Sequence, residues 1–284
     1  MKRRLLLVVG IAVFVGYFLL FHTNEYAPFS LLGVLGAIFA NATGAGGGIV
    51  FIPAFQQLGV SAEQSVATSF AIQCFGMTTG SIAWLKHAKG CDYPDWRLLP
   101  KLIFICLPFS VLGIWLVYGL NASTPGTLSG LFAYFSIVIG LGLLITNAFN
   151  ANKQKLISKE TAKQHIDRLD VAALILISLI GGVVTAWLSV GVGEFIAFYL
   201  ILRGYRITMA IAVAVVISAA SVWAGVGHHI VEQQIYWDIL IFAGPGAVVG
   251  AIIAKQLATR MPVTQLKMFF AIWVLFAGLF ELFN

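Results

Sequence analysis

The sequence predicts an all-α polytopic membrane protein with two inverted repeats, each a broken re-entrant helix hairpin plus three transmembrane helices, and an extra N-terminal transmembrane helix. Of the 284 residues, 60% are hydrophobic and only 10% are charged, too few charges for the surface of a soluble protein. Apolar segments of about 20 residues, the length that crosses a bilayer, recur along the chain. Two further apolar segments are interrupted by glycine-rich breaks, as in transporters with discontinuous helices.

The first predicted element is the N-terminal transmembrane helix. A basic start, Met1 to Arg4, precedes an apolar run over 5–21. A cleaved signal peptide begins in a similar way, but this run is long for one and no small-x-small cleavage site follows it. We therefore expect an uncleaved helix, with its outer loop, over 1–28.

The remaining elements divide the chain into two halves. The predicted full-length spans, including the first helix, are 5–21, 64–85, 98–119, 126–149, 207–230, 238–258 and 264–283. The interrupted stretches, 29–58 and 171–202, are each expected to form two short helices around a break. The first repeat then covers 29–149, a charged cytoplasmic loop covers 150–169, and the second repeat covers 170–284.

The basic residues favour this arrangement. If the N-terminus is cytoplasmic and each broken stretch enters and leaves the membrane on one side, all 17 Lys and Arg residues fall on the cytoplasmic side. A full crossing of the first broken stretch would instead place the group from Lys86 to Lys101 outside. We expect a multi-pass protein of the cell inner (plasma) membrane.

A weak internal repeat relates the two halves. A shift of 145 residues places five glycines on five others: Gly36, Gly46, Gly48, Gly59 and Gly80 on Gly181, Gly191, Gly193, Gly204 and Gly225. Each unit contains three full spans, which is an odd number. The second unit therefore begins on the opposite side of the membrane, and the repeats are predicted to be inverted.

The two breaks predict an anion site. The second half-helices, from about Gly48 and Glu194, should begin near the membrane midplane and approach one another from opposite sides. Each N-terminus presents free N–H groups and roughly half a positive charge. The alternative is that the glycines only permit close helix packing. The candidate substrate-binding residues are Asn41, Thr43, Gly44, Gly46, Gly47, Gly48, Thr68, Ser69, Gln73, Trp187, Ser189, Gly191 and Gly193.

Glu194 is the one carboxylate predicted at membrane depth, where an ionisable group is a functional candidate. Two roles are open. It could carry a proton coupled to transport, or it could cap its own half-helix. Its charge would repel an anionic ligand unless it were protonated.

A family resemblance rests on a motif in the first half. The run Gly44–Gly48, then Ile52-Pro53, Gly59 and Ala67-Thr68-Ser69, resembles the pattern of the TauE/SafE sulfite exporter family, also called the toluenesulfonate uptake permease family. The resemblance extends over about 30–283. The second half departs from the pattern: Gly191-Val192-Gly193-Glu194 replaces a fuller glycine run, and Val213-Ala214 stands where Thr-Ser often recurs. The resemblance implies transport of sulfite, sulfoacetate and other organosulfonates, whereas the backbone argument indicates only a small anion.

We therefore expect a secondary transporter of small sulfur-containing anions, with export as the direction that the family implies and proton coupling through Glu194 as an open question. The alternatives are an anion channel and a cation or proton-coupled carrier that uses Glu194. An enzyme is not expected, because HExxH, P-loop and GxSxG motifs are missing. No cofactor, metal or nucleic acid is expected. The expected partners are the anionic substrate and the lipid bilayer.

Overall fold

The computed structural model of the chain describes residues 25–154 and 162–260, with only the backbone given for much of 143–154, and scattered positions between 265 and 282. The predicted N-terminal helix over 5–21 lies outside the described residues. So does most of the predicted span over 264–283.

The described part of the chain is helical and contains no strand. Its α-helices, in chain order, are α1 (Phe29–Thr43), α2 (Gly48–Gln57), α3 (Ala62–Lys89), α4 (Leu99–Gly119), α5 (Leu128–Gln154), α6 (Arg168–Leu188), α7 (Val192–Leu202), α8 (Ile207–Val231) and α9 (Trp237–Arg260). A short 3₁₀ helix, Pro94–Leu98, leads into α4. These bounds agree closely with the predicted spans between residues 64 and 258.

Several helices have the length and composition of membrane spans. Within the described residues, these are α4 with its 3₁₀ extension, α6, α8 and α9, while α1, α7 and residues 128–142 are shorter apolar helices. The 28-residue helix α3 is less apolar because it contains polar side chains such as Thr68, Ser69 and Gln73, all buried inside the protein. The chain is therefore a multi-pass membrane protein.

Both predicted breaks are confirmed. Helix α1 ends at Thr43 and α2 begins at Gly48, and α6 ends at Leu188 and α7 begins at Val192. One length differs from the prediction, since α6 has 21 residues and is about 31 Å long rather than short. Its N-terminus is extended by a capping box in which Asp167 and Asp170 accept each other's backbone N–H groups.

Each broken segment is a hairpin whose two ends lie together. In the first, the ring centroids of Phe29 and Phe55 are 6.0 Å apart. In the second, Arg203 Nε donates to Asp170 Oδ1 at 2.7 Å. Each hairpin therefore brings its two ends together, which is consistent with the predicted re-entrant arrangement.

Packing between helices is matched in the two halves. Helices α1 and α3 pack on α9, and their counterparts in the second half, α6 and α8, pack on α4. Helices α3 and α8 also pack on each other. Small residues permit close approach: a Cβ at Gly250 would overlap the Val34 carbonyl oxygen, and one at Gly113 would overlap the Leu179 carbonyl oxygen. Val34 and Leu179 are separated by the same 145 residues that relate the glycines.

A polar cluster closes the base of the second hairpin. The fully buried Asp170 carboxylate accepts hydrogen bonds from Lys163 at 2.5 Å, Tyr199 at 2.9 Å and Tyr205 at 2.8 Å, in addition to Arg203. Burial, and then the hydrogen bond to Asp170, raises the pKa of the Tyr205 hydroxyl above its usual range. The cluster fixes α6, α7 and the end of the central loop to one another.

We predict that Asp170→Asn destabilises the protein by on the order of 3 kcal/mol, because the cationic partners Lys163 and Arg203 lose the carboxylate that compensates them. The measurement is thermal unfolding of the purified protein in detergent. Asp92→Asn, which changes an exposed acid, is the matched control and should leave the melting temperature unchanged. Equal melting temperatures for the two variants would contradict the prediction.

Candidate functional site

The carboxylate of Glu194 joins the two breaks. Its Oε1 accepts a hydrogen bond from the Gly46 N–H at 2.7 Å, and its Oε2 accepts one from the Gly191 N–H at 2.8 Å. The bond to Gly191 is the helix cap that the sequence analysis left open as one of two roles. The bond to Gly46 crosses 148 residues of sequence and was not predicted.

Gln73 of α3 makes a second connection between the breaks. Its Oε1 accepts from the Gly47 N–H at 2.8 Å, and its Nε2 lies 2.8 Å from Ser189 Oγ and 3.0 Å from the Ser189 carbonyl oxygen. Ser69, one turn earlier on α3, accepts from the Ser189 hydroxyl at 2.9 Å and lies 3.1 Å from Gln73 Nε2. The prediction that Ser69 and Gln73 share one helix face is confirmed.

The backbone turns in the same way at both breaks. Gly44 and Ser189, 145 residues apart, follow α1 and α6 in left-handed conformations, with φ of 84° and 57°. A left-handed turn suits glycine, whereas a serine there is under strain. The neighbours are matched as well: Ser189 contacts Ser69, and Gly44 lies against Ala214, which is 145 residues beyond Ser69.

Backbone carbonyl groups pack directly on glycines where the second half-helices begin. A Cβ at Gly48 would meet the Ser189 carbonyl oxygen at 2.9 Å, and a Cβ at Gly193 would overlap the Gly44 carbonyl oxygen. Each half-helix N-terminus therefore lies against the other break. Glycine at both positions is what allows this approach.

Two polar residues of the site were missed in the sequence analysis. Ser218 Oγ lies so close to Gly193 that a Cβ there would overlap it, is almost fully buried and has no hydrogen-bond partner within the described structure. Thr185 Oγ1 accepts from the Val192 N–H at 2.9 Å. Ser218 is 145 residues beyond Gln73, so the internal repeat contained the signal that would have identified it.

Asn41 and Thr43 lie on the last turn of α1. Asn41 is fully buried, its Nδ2 donates to the Ala37 carbonyl oxygen at 2.9 Å, and it lines a cavity of about 10 Å³ with Gly47 and Gln73. Thr43 accepts from the Ala45 N–H at 3.3 Å and so closes the helix end. The cavity has room for about one water molecule, which is less than an oxyanion needs.

Two predicted site residues are directed away from the breaks. Thr68 Oγ1 accepts from the Tyr236 N–H at 2.9 Å, before α9. Trp187 Nε1 donates to the Ala122 carbonyl oxygen at 3.0 Å, after α4. Both side chains therefore form hydrogen bonds with the backbone of loop residues and not with the breaks.

The breaks hold a buried carboxylate at two helix N-termini. Glu194 is 3% exposed, and both of its oxygens accept backbone N–H groups. Two helix N-termini together supply roughly one positive charge, which balances one carboxylate. Across the residues that the structure describes, no cluster of three or more His, Cys, Asp or Glu side chains could hold a metal ion.

Comparison with known proteins gives one match. A family model described as "Sulfite exporter TauE/SafE" matches residues 29–280, nearly the whole chain. The match begins where α1 begins, so the predicted N-terminal helix over 5–21 lies outside it. No curated protein and no solved structure matches the chain.

We predict that Gly193→Ala destabilises the protein by about 1–3 kcal/mol, because its methyl group must displace both the Gly44 carbonyl group and the Ser218 hydroxyl. Gly227→Ala is the control, because a Cβ at Gly227 meets no atom within 4 Å. Thermal unfolding in detergent measures both. The packing argument is wrong if Gly193→Ala melts together with the control and the native protein.

Proposed function

We propose that this chain, which belongs to the TauE/SafE sulfite exporter family, is a secondary transporter that exports small sulfur-containing anions such as sulfite or organosulfonates. The family accounts for membrane transport of a sulfite-type anion. The proposal adds the place of binding, between the two half-helix N-termini at the breaks, and transport by alternating access of the two halves.

The observation that carries the proposal is the bond of one carboxylate to both breaks. Glu194 accepts the Gly46 and Gly191 N–H groups. A site that holds a carboxylate through backbone N–H groups has the donors that an oxyanion requires. Within the described structure, no Lys or Arg side chain bonds to the breaks, which favours reversible binding of a transported ion.

The same geometry argues against a cation carrier that uses Glu194. A cation would need the carboxylate oxygens that the Gly46 and Gly191 N–H groups occupy. It would also lie beside two positive helix ends, which repel it. An anion therefore fits the breaks better than a cation does.

Alternating access rests on the proposal that the two halves are inverted repeats. The matched helix pairs, and the matched left-handed turns at Gly44 and Ser189, support this proposal. The odd number of spans in each predicted unit and the distribution of Lys and Arg support an inverted topology with a cytoplasmic N-terminus. We propose the cell inner membrane as the location on the same grounds.

We predict saturable efflux of sulfite or a small organosulfonate from proteoliposomes that contain the protein. Sulfonates should compete, and sulfate and a carboxylate should be compared as competitors. Gly47→Leu should reduce the flux at least about tenfold, because its side chain would enter the space of Phe51 and Gln73. Gly227→Ala should transport like the native protein.

The outcomes of the flux experiment separate the candidate functions. Failure of every sulfur anion to move under any gradient would overturn the substrate assignment. Fast, non-saturating flux that is independent of a counter-ion gradient would identify an anion channel instead.

Proton coupling through Glu194 is a separate prediction. The polar side chains around the two breaks, Gln73, Thr185, Ser189 and Ser218, are all neutral, and no charged side chain of the described structure acts on the Glu194 carboxylate. We expect a pH gradient to accelerate native efflux and to have no effect on Glu194→Gln. Glu63→Gln changes an exposed glutamate and should retain the native response. Unchanged pH dependence in Glu194→Gln would show that Glu194 is not the proton carrier.

A further inference from the structure

We propose that the Glu194 carboxylate is an internal competitor of the substrate: it occupies the anion site in the substrate-free protein, and the transported anion binds by displacing it. This inference rests on the proposed function, since it concerns the same pair of breaks. It assigns to Glu194 a role that neither a helix cap nor a proton carrier requires.

The first argument is that four backbone donors at the breaks are already in use. At the first break, the Gly46 N–H bonds to Glu194 and the Gly47 N–H bonds to Gln73. At the second break, the Gly191 N–H bonds to Glu194 and the Val192 N–H bonds to Thr185. An arriving anion therefore obtains these donors only if a side chain of the protein gives them up.

The second argument is that Glu194 is the group that gives them up. It is the charged one among the three side chains, and an anion beside it would be repelled strongly in a buried site. The two helix ends supply roughly one positive charge, enough for one anion and not for two. The substrate and the ionised carboxylate therefore exclude each other, whereas the neutral Gln73 and Thr185 can remain in place.

The third argument is that a free donor lies against Gly193, the residue before Glu194. The Ser218 hydroxyl is almost fully buried against Gly193 and is unpartnered within the described structure. It occupies the position of the second half that Gln73 occupies in the first. A hydroxyl of this kind can donate to an anion held by the Gly191 N–H, so the site contains a polar group that Glu194 leaves unused.

The cavity beside Asn41, Gly47 and Gln73 does not hold the substrate in this state, since at about 10 Å³ it has room for about one water molecule. Movement of the Glu194 side chain away from Gly46 removes the bond between the two halves at this point. Substrate binding then removes one of the two connections between the breaks, while Gln73 keeps the other through Ser189.

The test is the affinity of the purified protein for methanesulfonate, a probe whose charge does not change with pH, measured at fixed pH by calorimetry and by ligand-dependent thermal stabilisation. A competitor that occupies the site nine-tenths of the time weakens apparent affinity about tenfold. Glu194→Gln should therefore bind methanesulfonate about tenfold more tightly than the native protein. Glu63→Gln is the matched control and should bind like the native protein.

A second variant keeps the test decisive if Glu194→Gln does not fold. Glu194→Ala removes the charge and leaves the Gly46 and Gly191 N–H groups to the probe. It should also bind the probe more tightly than the native protein. Equal or weaker binding by the folded variant would overturn the inference. The proposed function would still stand in that case if the native protein binds the probe and transports sulfur anions. If the native protein and the variants all fail to bind or move any sulfur anion, both proposals are wrong.

Discussion

The structure depends on how broken helices satisfy their backbone inside a membrane. Lipid offers no hydrogen bonds, so the N–H groups exposed where α2 and α7 begin must find partners within the protein. Gly46 and Gly191 find the same carboxylate, and Gly47 finds the Gln73 amide. These hydrogen bonds satisfy the backbone donors, and those of Glu194 also hold the two hairpins together.

The sequence predicted most of the fold because the bilayer makes hydrophobic length informative. The two breaks were predictable from their glycine-rich composition, although the second half-helix begins at Val192 and not at about Glu194, and the shared face of Ser69 and Gln73 was predictable from their spacing. The bond between Glu194 and Gly46 was not, because it depends on the packing of segments 148 residues apart. The direction of Trp187 was missed for a similar reason, since its partner, Ala122, lies in a distant loop.

The two halves have similar backbone conformations at the breaks but different polar side chains there. Left-handed turns recur at Gly44 and Ser189, and residues of α3 and α8 meet the breaks at corresponding positions. The side chains at those positions differ, with Gln73 in one half and Ser218 in the other. The repeat therefore supplies the geometry of the site twice, whereas each half supplies its own polar groups, and Glu194 belongs to the second half alone.

Most donors at the breaks belong to the main chain, and this has a consequence for how the protein can evolve. Every residue except proline has an N–H, so mutation of a codon at these positions seldom deletes a donor, although it can obstruct the approach to it. At the proposed anion site, heritable change in ligand preference is thus expected in a few side chains, among them Gln73, Glu194 and Ser218. Divergence among related sequences should be most informative at these three codons.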